Sequence, residues 1–136
     1  MARLLLSFMV LAALLPSQVL GEESSNLSIQ IQNQSLVPSE LSLSPGKTVV
    51  WINRTENEVQ VQFTSEAVST TCKAPKRFVI DHRGIFISEN IQAGGVASLC
   101  FLEKHDYPYE VSVYAPEGEA SQKTLLYKLQ GSVRVQ

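Results

Sequence analysis

After Met9 the chain contains no methionine, and across all 136 residues there are only two cysteines and two histidines. That scarcity restricts metal chemistry to one small set of soft ligands, Cys72, His82, Cys100 and His105. There is no Gly-rich phosphate loop, no paired-carboxylate motif and no assignable Ser-His-acid constellation, so the sequence gives an enzyme little support. Glu56 and Glu58 read as solvated turn residues. Basic residues are also few. With 11 Lys and Arg against 13 Asp and Glu, and a single basic residue in the first 21 positions, the rest of the chain is net −3. Such a balance lacks the basic footprint of a nucleic-acid binder and the polybasic patch that anionic membranes attract. Residues 22–136 also contain no stretch of ten or more with clean helical periodicity.

The one long apolar run lies at the start. In MARLLLSFMVLAALLPSQVLG, Arg3 supplies a positive start and residues 4–15 the apolar stretch, while Val19, Leu20 and Gly21 end it with a cleavage-type sequence. The run is well short of the roughly 20 residues a spanning helix needs. Residues 1–21 therefore read as a cleaved secretory signal, residues 22–26 as a loose polar tail, and residues 27–136 as one domain. The expected location is secreted or periplasmic, with no membrane insertion after signal cleavage. Cys72 and Cys100 in an exported chain point to a disulfide, with a metal site built from Cys72, His82, Cys100 and His105 as the other reading. Asn26, Asn33 and Asn53 head glycosylation sequons, which carry meaning only in a eukaryotic host.

From residue 27 the pattern has a period of two. Leu27, Ile29 and Ile31 alternate with Ser28, Gln30 and Gln32. Leu41 and Leu43 continue the alternation, as do Val59, Val61 and Phe63 and then Ala97, Leu99 and Phe101. Turn signals separate these runs at Ser44-Pro45-Gly46-Lys47, at residues 53–57 and at Gln92-Ala93-Gly94-Gly95. Further strands are expected at residues 84–88, 107–114 and 129–135. Residues 64–83 read as a long loop with one short strand at 78–80, and residues 115–123 as a polar excursion. Many short strands with regular turns indicate an all-β, antiparallel Greek-key sandwich. Inward Leu99 and Phe101 would turn Cys100 away from the core, so that a Cys72–Cys100 bond clips the long loop to the outside. Trp51 is expected in the core. Tyr107, Tyr109 and Tyr114 are expected to divide between the core and an exposed aromatic patch, and Lys73, Lys76 and Arg77 form a basic run able to meet an acidic partner.

Four segments, in order, resemble the cupredoxin family: LVPSELSLSPGKTVVWIN, FISENIQAGGVASLCF, HDYPYEVSVY and LQGSVRV. The resemblance implies a cupredoxin-type sandwich that normally holds type 1 copper through two His, one Cys and an axial Met. Matched residue by residue, the first His falls on Val59, the Cys on Val111 and the second His on Tyr114, and no Met lies between residues 115 and 131. A second register through the Cys100 to His105 spacing would put Tyr109 at the axial place, but it has no suitable upstream His. The resemblance thus implies a domain without the family's copper site, hence no cofactor, acting as a binding or assembly protein toward another exported or membrane protein. The alternative is a copper-binding or electron-transfer protein with a non-standard Cys/His site. An immunoglobulin-like sandwich is the competing fold, disfavoured because Trp51 precedes both cysteines.

Overall fold

The computed structural model describes residues 27–66, 72–116 and 122–136. The expected signal at residues 1–21, the tail at 22–26 and the Asn26 sequon lie outside the described residues, as do parts of the long loop and of the polar excursion. Among the described residues there is no helix long and apolar enough to cross a membrane.

Among the described residues, ten strands form two sheets. They are β1 (Ser28–Gln32), β2 (Ser35–Val37), β3 (Glu40–Leu43), β4 (Lys47–Asn53), β5 (Glu58–Phe63), β6 (Phe78–Ile80), β7 (Phe86–Ser88), β8 (Val96–Phe101), β9 (His105–Tyr114) and β10 (Leu125–Val135). One sheet has the order β2-β1-β4-β8 and the other β3-β10-β9-β5-β7-β6. Most residues named by the period-two pattern face inward, joined by Val49, while Leu27 and Leu41 are only partly buried. Ile29, Ile31, Val49, Trp51, Val59, Val61, Ala97 and Phe101 are fully buried between the sheets.

The sheets are mixed, not purely antiparallel as expected. β1 runs parallel to β4 and β3 runs parallel to β10. The reason is the short passage from Val37 to Glu40. There the chain leaves the first sheet, lays β3 beside β10 in the second, and returns through the Pro45-Gly46 turn as β4. Having crossed both layers, it re-enters the first sheet in the direction of β1. Gly46 takes φ of 84°, and its N–H donates to the carbonyl of Phe101, so this turn is pinned to the end of β8.

Aromatic rings fill the centre. Trp51 meets Phe63 and Tyr109 edge-on, with centroids 5.9 and 5.6 Å apart, and Phe78 at 5.4 Å. Tyr107 and Tyr109 are both buried, so the expected tyrosine surface patch is reduced to Tyr114. The ring of Tyr109 lies directly over Gly131, its partner on β10. A Cβ at position 131 would stand 2.3 Å from both Cζ and the hydroxyl of Tyr109. Substituting Gly131→Ala is therefore expected to destabilise the domain by about 1–3 kcal/mol through overpacking. Gly131→Ala should cost less in a Tyr109→Leu background than in wild type. Urea midpoints of the four proteins of that cycle test this, and a Gly131→Ala midpoint equal to wild type would refute the close approach.

Candidate functional site

Strands β5 and β9 carry the positions that the family resemblance singles out. Their register pairs Val59 with Val113 and Val61 with Val111. All four side chains are fully buried and none has a donor atom. Val59 is tied on its other side as well, exchanging main-chain hydrogen bonds of 3.0 and 2.8 Å with Ile91. Residues 111 to 114 stay in the ladder on both sides, bonded to β5 and to β10. Alternation then sends Val111 and Val113 into the core and Ser112 and Tyr114 to the outer face. Val59 and Val111 share one buried layer. Tyr114 does not join them.

On the outer face Tyr114 is half-buried beside a polar cluster. Lys123 Nζ stands 5.8 Å from the ring centroid and 2.5 Å from the Glu58 carboxylate. The amide of Gln92 donates to the other Glu58 oxygen. The Lys123 hydrogen bond, seconded by Gln92, holds the Glu58 carboxyl below the usual range against the opposing effect of burial. Glu58 is thus a strand residue in an ion pair and not the solvated turn residue its sequence context implied.

At the end of β4, in the other sheet, Asn53 is fully buried. Its side-chain nitrogen donates to the carbonyls of Asn57 (2.7 Å) and Ile91 (2.9 Å). Its oxygen accepts from the N–H (2.9 Å) and hydroxyl (2.8 Å) of Thr55. Asn53 and Thr55, read in sequence as a glycosylation sequon, are the knot that closes the β4–β5 turn. A fully committed amide nitrogen leaves nothing for a glycan in the folded domain. Asn33, by contrast, is exposed in the β1–β2 turn.

No protein-family model matches the sequence, and no curated protein matches it. The similarity is with solved structures. An oxidised amicyanin with methionine replaced by leucine superposes with a TM-score of 0.55 at 19% identity, covering 82% of this chain and 83% of that one. A Cu(I) amicyanin with methionine replaced by glutamine gives 0.54 at 18% identity, covering 85% and 87%. A reduced Cu(I) form at pH 4 with proline replaced by glycine gives 0.53 at 20%, covering 80% of each.

The fold is that of a cupredoxin.

The immunoglobulin-like alternative is thereby set aside. Type 1 copper needs imidazole and thiolate donors converging on one point. In this cupredoxin fold the side chains at 59 and 111 are alkyl, and the phenol at 114 projects to the opposite side of the sheet. The residues present do not fit that ion. The second register fares no better. Tyr109 is buried among Trp51 and Phe63, and burial pushes its phenol up to about 12, with the nearby Trp51 indole pulling slightly the other way. Neither Trp51 Nε1 nor the Tyr109 hydroxyl reaches a partner in hydrogen-bond geometry.

The four soft ligands are not gathered either. Cys72 and Cys100 are joined in a disulfide with Cα atoms 5.8 Å apart. His82 is exposed in the β6–β7 hairpin, and His105 is exposed at the start of β9, edge-on to Tyr107. Among the described residues no three His, Cys, Asp or Glu side chains are grouped to hold a metal ion. Cys100 does point away from Leu99 and Phe101, yet it is only 1% exposed. The segment after Cys72 covers it, and Lys76 exchanges two hydrogen bonds of 3.0 Å with Ser98 on the edge of β8. The same segment forms one wall of a lateral cleft of about 330 Å³, open beside β6. The strand expected at 78–80 and the basic run before it both flank the cleft, which no local sequence pattern marks.

Proposed function

We propose that this chain is an exported cupredoxin-like binding or accessory protein that meets another exported or membrane protein and carries no type 1 copper. The observation behind this reading is the register of β9, which turns positions 111 and 114 to opposite faces while Val59 and Val111 fill the core between. A sandwich whose metal end is packed with valine keeps the scaffold and its surfaces and lacks the redox centre. We read residues 1–21 as its export signal, the location as secreted or periplasmic, and the activity as non-enzymatic. Contact with nucleic acid or with the bilayer itself is disfavoured by the acidic balance of the chain.

Copper titration of the purified mature protein tests the reading. We expect no strong thiolate-to-copper absorption and no stoichiometric metal by elemental analysis. The electron-carrier alternative, using Cys72, His82, Cys100 and His105, requires the disulfide to open. The titration is therefore repeated on protein with both thiols verified as free. A coloured one-to-one copper complex in either state would overturn the proposal.

A further inference from the structure

β6 is the outermost strand of the six-stranded sheet. Its inner side is spoken for. The carbonyl of Arg77 accepts from the N–H of Glu89 (2.8 Å), Val79 pairs with Ile87, and the N–H of Asp81 donates to Ile85 (2.9 Å). Antiparallel ladders alternate, so the main-chain groups of the intervening Phe78 and Ile80 face the open edge. Arg77 takes φ of 58°, and this bend moves the chain from the edge of β8 to the edge of the opposite sheet. The cleft lies along that bend. Lys73, Ala74 and Pro75 line one wall, and Phe78, Ile80 and Phe86 the other. Val79 and Ile80 are 52% and 57% exposed.

Exposed edge strands are usually kept very short or blunted by charge or proline; β6 is short, at three residues, and carries neither of the other two. Here the strand is Phe-Val-Ile, and the charges stand beside it. Arg83, Lys123, Lys128 and Arg134 each pair with a carboxylate. Lys73, Lys76 and Arg77 are exposed and, among the described residues, have no such partner. No acidic residue lines the cleft. Lys73 stands in the wall of the apolar slot and Lys76 and Arg77 follow it along the chain, against Glu89 and the Arg83-paired Asp81 at the two ends of β6; on a net acidic chain that local excess of positive charge complements an acidic ligand. It disfavours a second copy of this chain, whose own Lys73, Lys76 and Arg77 would be brought toward the same place.

We propose that the cleft beside β6 is the partner-docking site, and that it takes an extended segment with alternating apolar side chains and flanking acidic residues. The segment adds a strand through the main chain of Phe78 and Ile80. Its apolar side chains enter the slot between Pro75 and Phe86, and its carboxylates meet the three cations. The Cys72–Cys100 bond holds the Lys73–Pro75 wall against β8. This inference rests on the binding role proposed above and names the surface and ligand chemistry for it.

The test uses mature, oxidised protein and two labelled ten-residue peptides of alternating valine and threonine, one with Asp-Glu at both ends and one with Lys-Lys. The acidic peptide is expected to bind at low salt, shift the amide resonances of Phe78 and Ile80, and bind at least tenfold more tightly than the basic one. Lys73→Glu, Lys76→Glu and Arg77→Glu combined should reverse that preference. Ile80→Lys, at an exposed position, should abolish binding while leaving the circular dichroism spectrum unchanged. Absence of binding, equal binding of both peptides, or a concentration-dependent dimer lost in Ile80→Lys would each overturn the proposal. Photo-crosslinkers at positions 80 and 114 in the exporting host separate the two levels of inference. Capture of a protein from 114 and not from 80 would sink the cleft and spare the binding role; capture from neither would sink both.

Discussion

Reduction of the Cys72–Cys100 bond is expected to lower the melting temperature of the domain by roughly 10–20 °C. The bond spans a sequence separation of 28. A closed loop of that length restricts the unfolded chain by about 3–4 kcal/mol in the chain-entropy account, a large share of the roughly 5–15 kcal/mol that keeps a typical domain folded. The bond also has a local task. It seats the segment after Cys72 over the edge of β8, where Lys76 pairs with Ser98, and it buries the Cys100 side chain on the face opposite the core. Opening it releases that strap and exposes the β8 edge as well as lengthening the free loop. Thermal unfolding with and without a phosphine reductant measures the effect, with free thiols counted at the start of each scan. The Cys72→Ala, Cys100→Ala pair should reproduce the drop without reductant, which separates loss of the cross-link from any effect of the reagent. A melting temperature that stays put with both thiols free would show that neither contribution matters.

Much of this architecture was legible along the chain because a sandwich core rewards strict alternation. Leu27, Ile29 and Ile31, then Val59, Val61 and Phe63, then Ala97, Leu99 and Phe101, each present one wet and one dry side, and the structure buries the dry one. Strand direction was not legible. The parallel pairing of β1 with β4 depends on where the chain crosses between layers, near Val37 and Glu40, and no local pattern encodes that. The face of Tyr114 was hidden for a related reason. The strand expected at residues 107–114 is present, and its parity alone turns 111 and 114 to opposite faces; lining both up with copper ligands had put them on one side. The position of β6 at a sheet edge, and with it the cleft, follows from pairing across tens of residues. Asn53 is the clearest ambiguity of all: one tripeptide serves equally as a glycosylation signal and as a buried turn, and only the partners at Asn57 and Ile91 decide between them.

Replacing that residue should therefore be severe. Asn53→Ala removes four hydrogen bonds from a fully buried position. The carbonyl of Ile91 keeps its bond from Val59, and that of Asn57 can take the one proton of the Thr55 hydroxyl that Asn53 had shared, but the N–H of Thr55 is left without its acceptor. One stranded donor, the lost bonds and the cavity together should cost about 2–4 kcal/mol. Asn53→Asp is the sharper probe because it keeps the shape and changes the charge. Its carboxylate would face the carbonyl oxygens of Asn57 and Ile91 and lose its water, and both effects raise the folded-state pKa above the unfolded value of about 3.9. A raised carboxyl pKa means that the folded state holds its proton more tightly than the unfolded chain does. The deficit relative to wild type should thus be smallest below the unfolded pKa, grow as pH rises from there to the folded pKa, and level off above it. Urea unfolding of wild type and variant side by side at pH 3 and pH 7 reads the difference directly, and the shared response of other acids such as Glu58 cancels in it. A deficit equal at the two pH values would mean that the carboxylate has found water, and that the turn at residues 53–57 opens more easily than its hydrogen bonds imply.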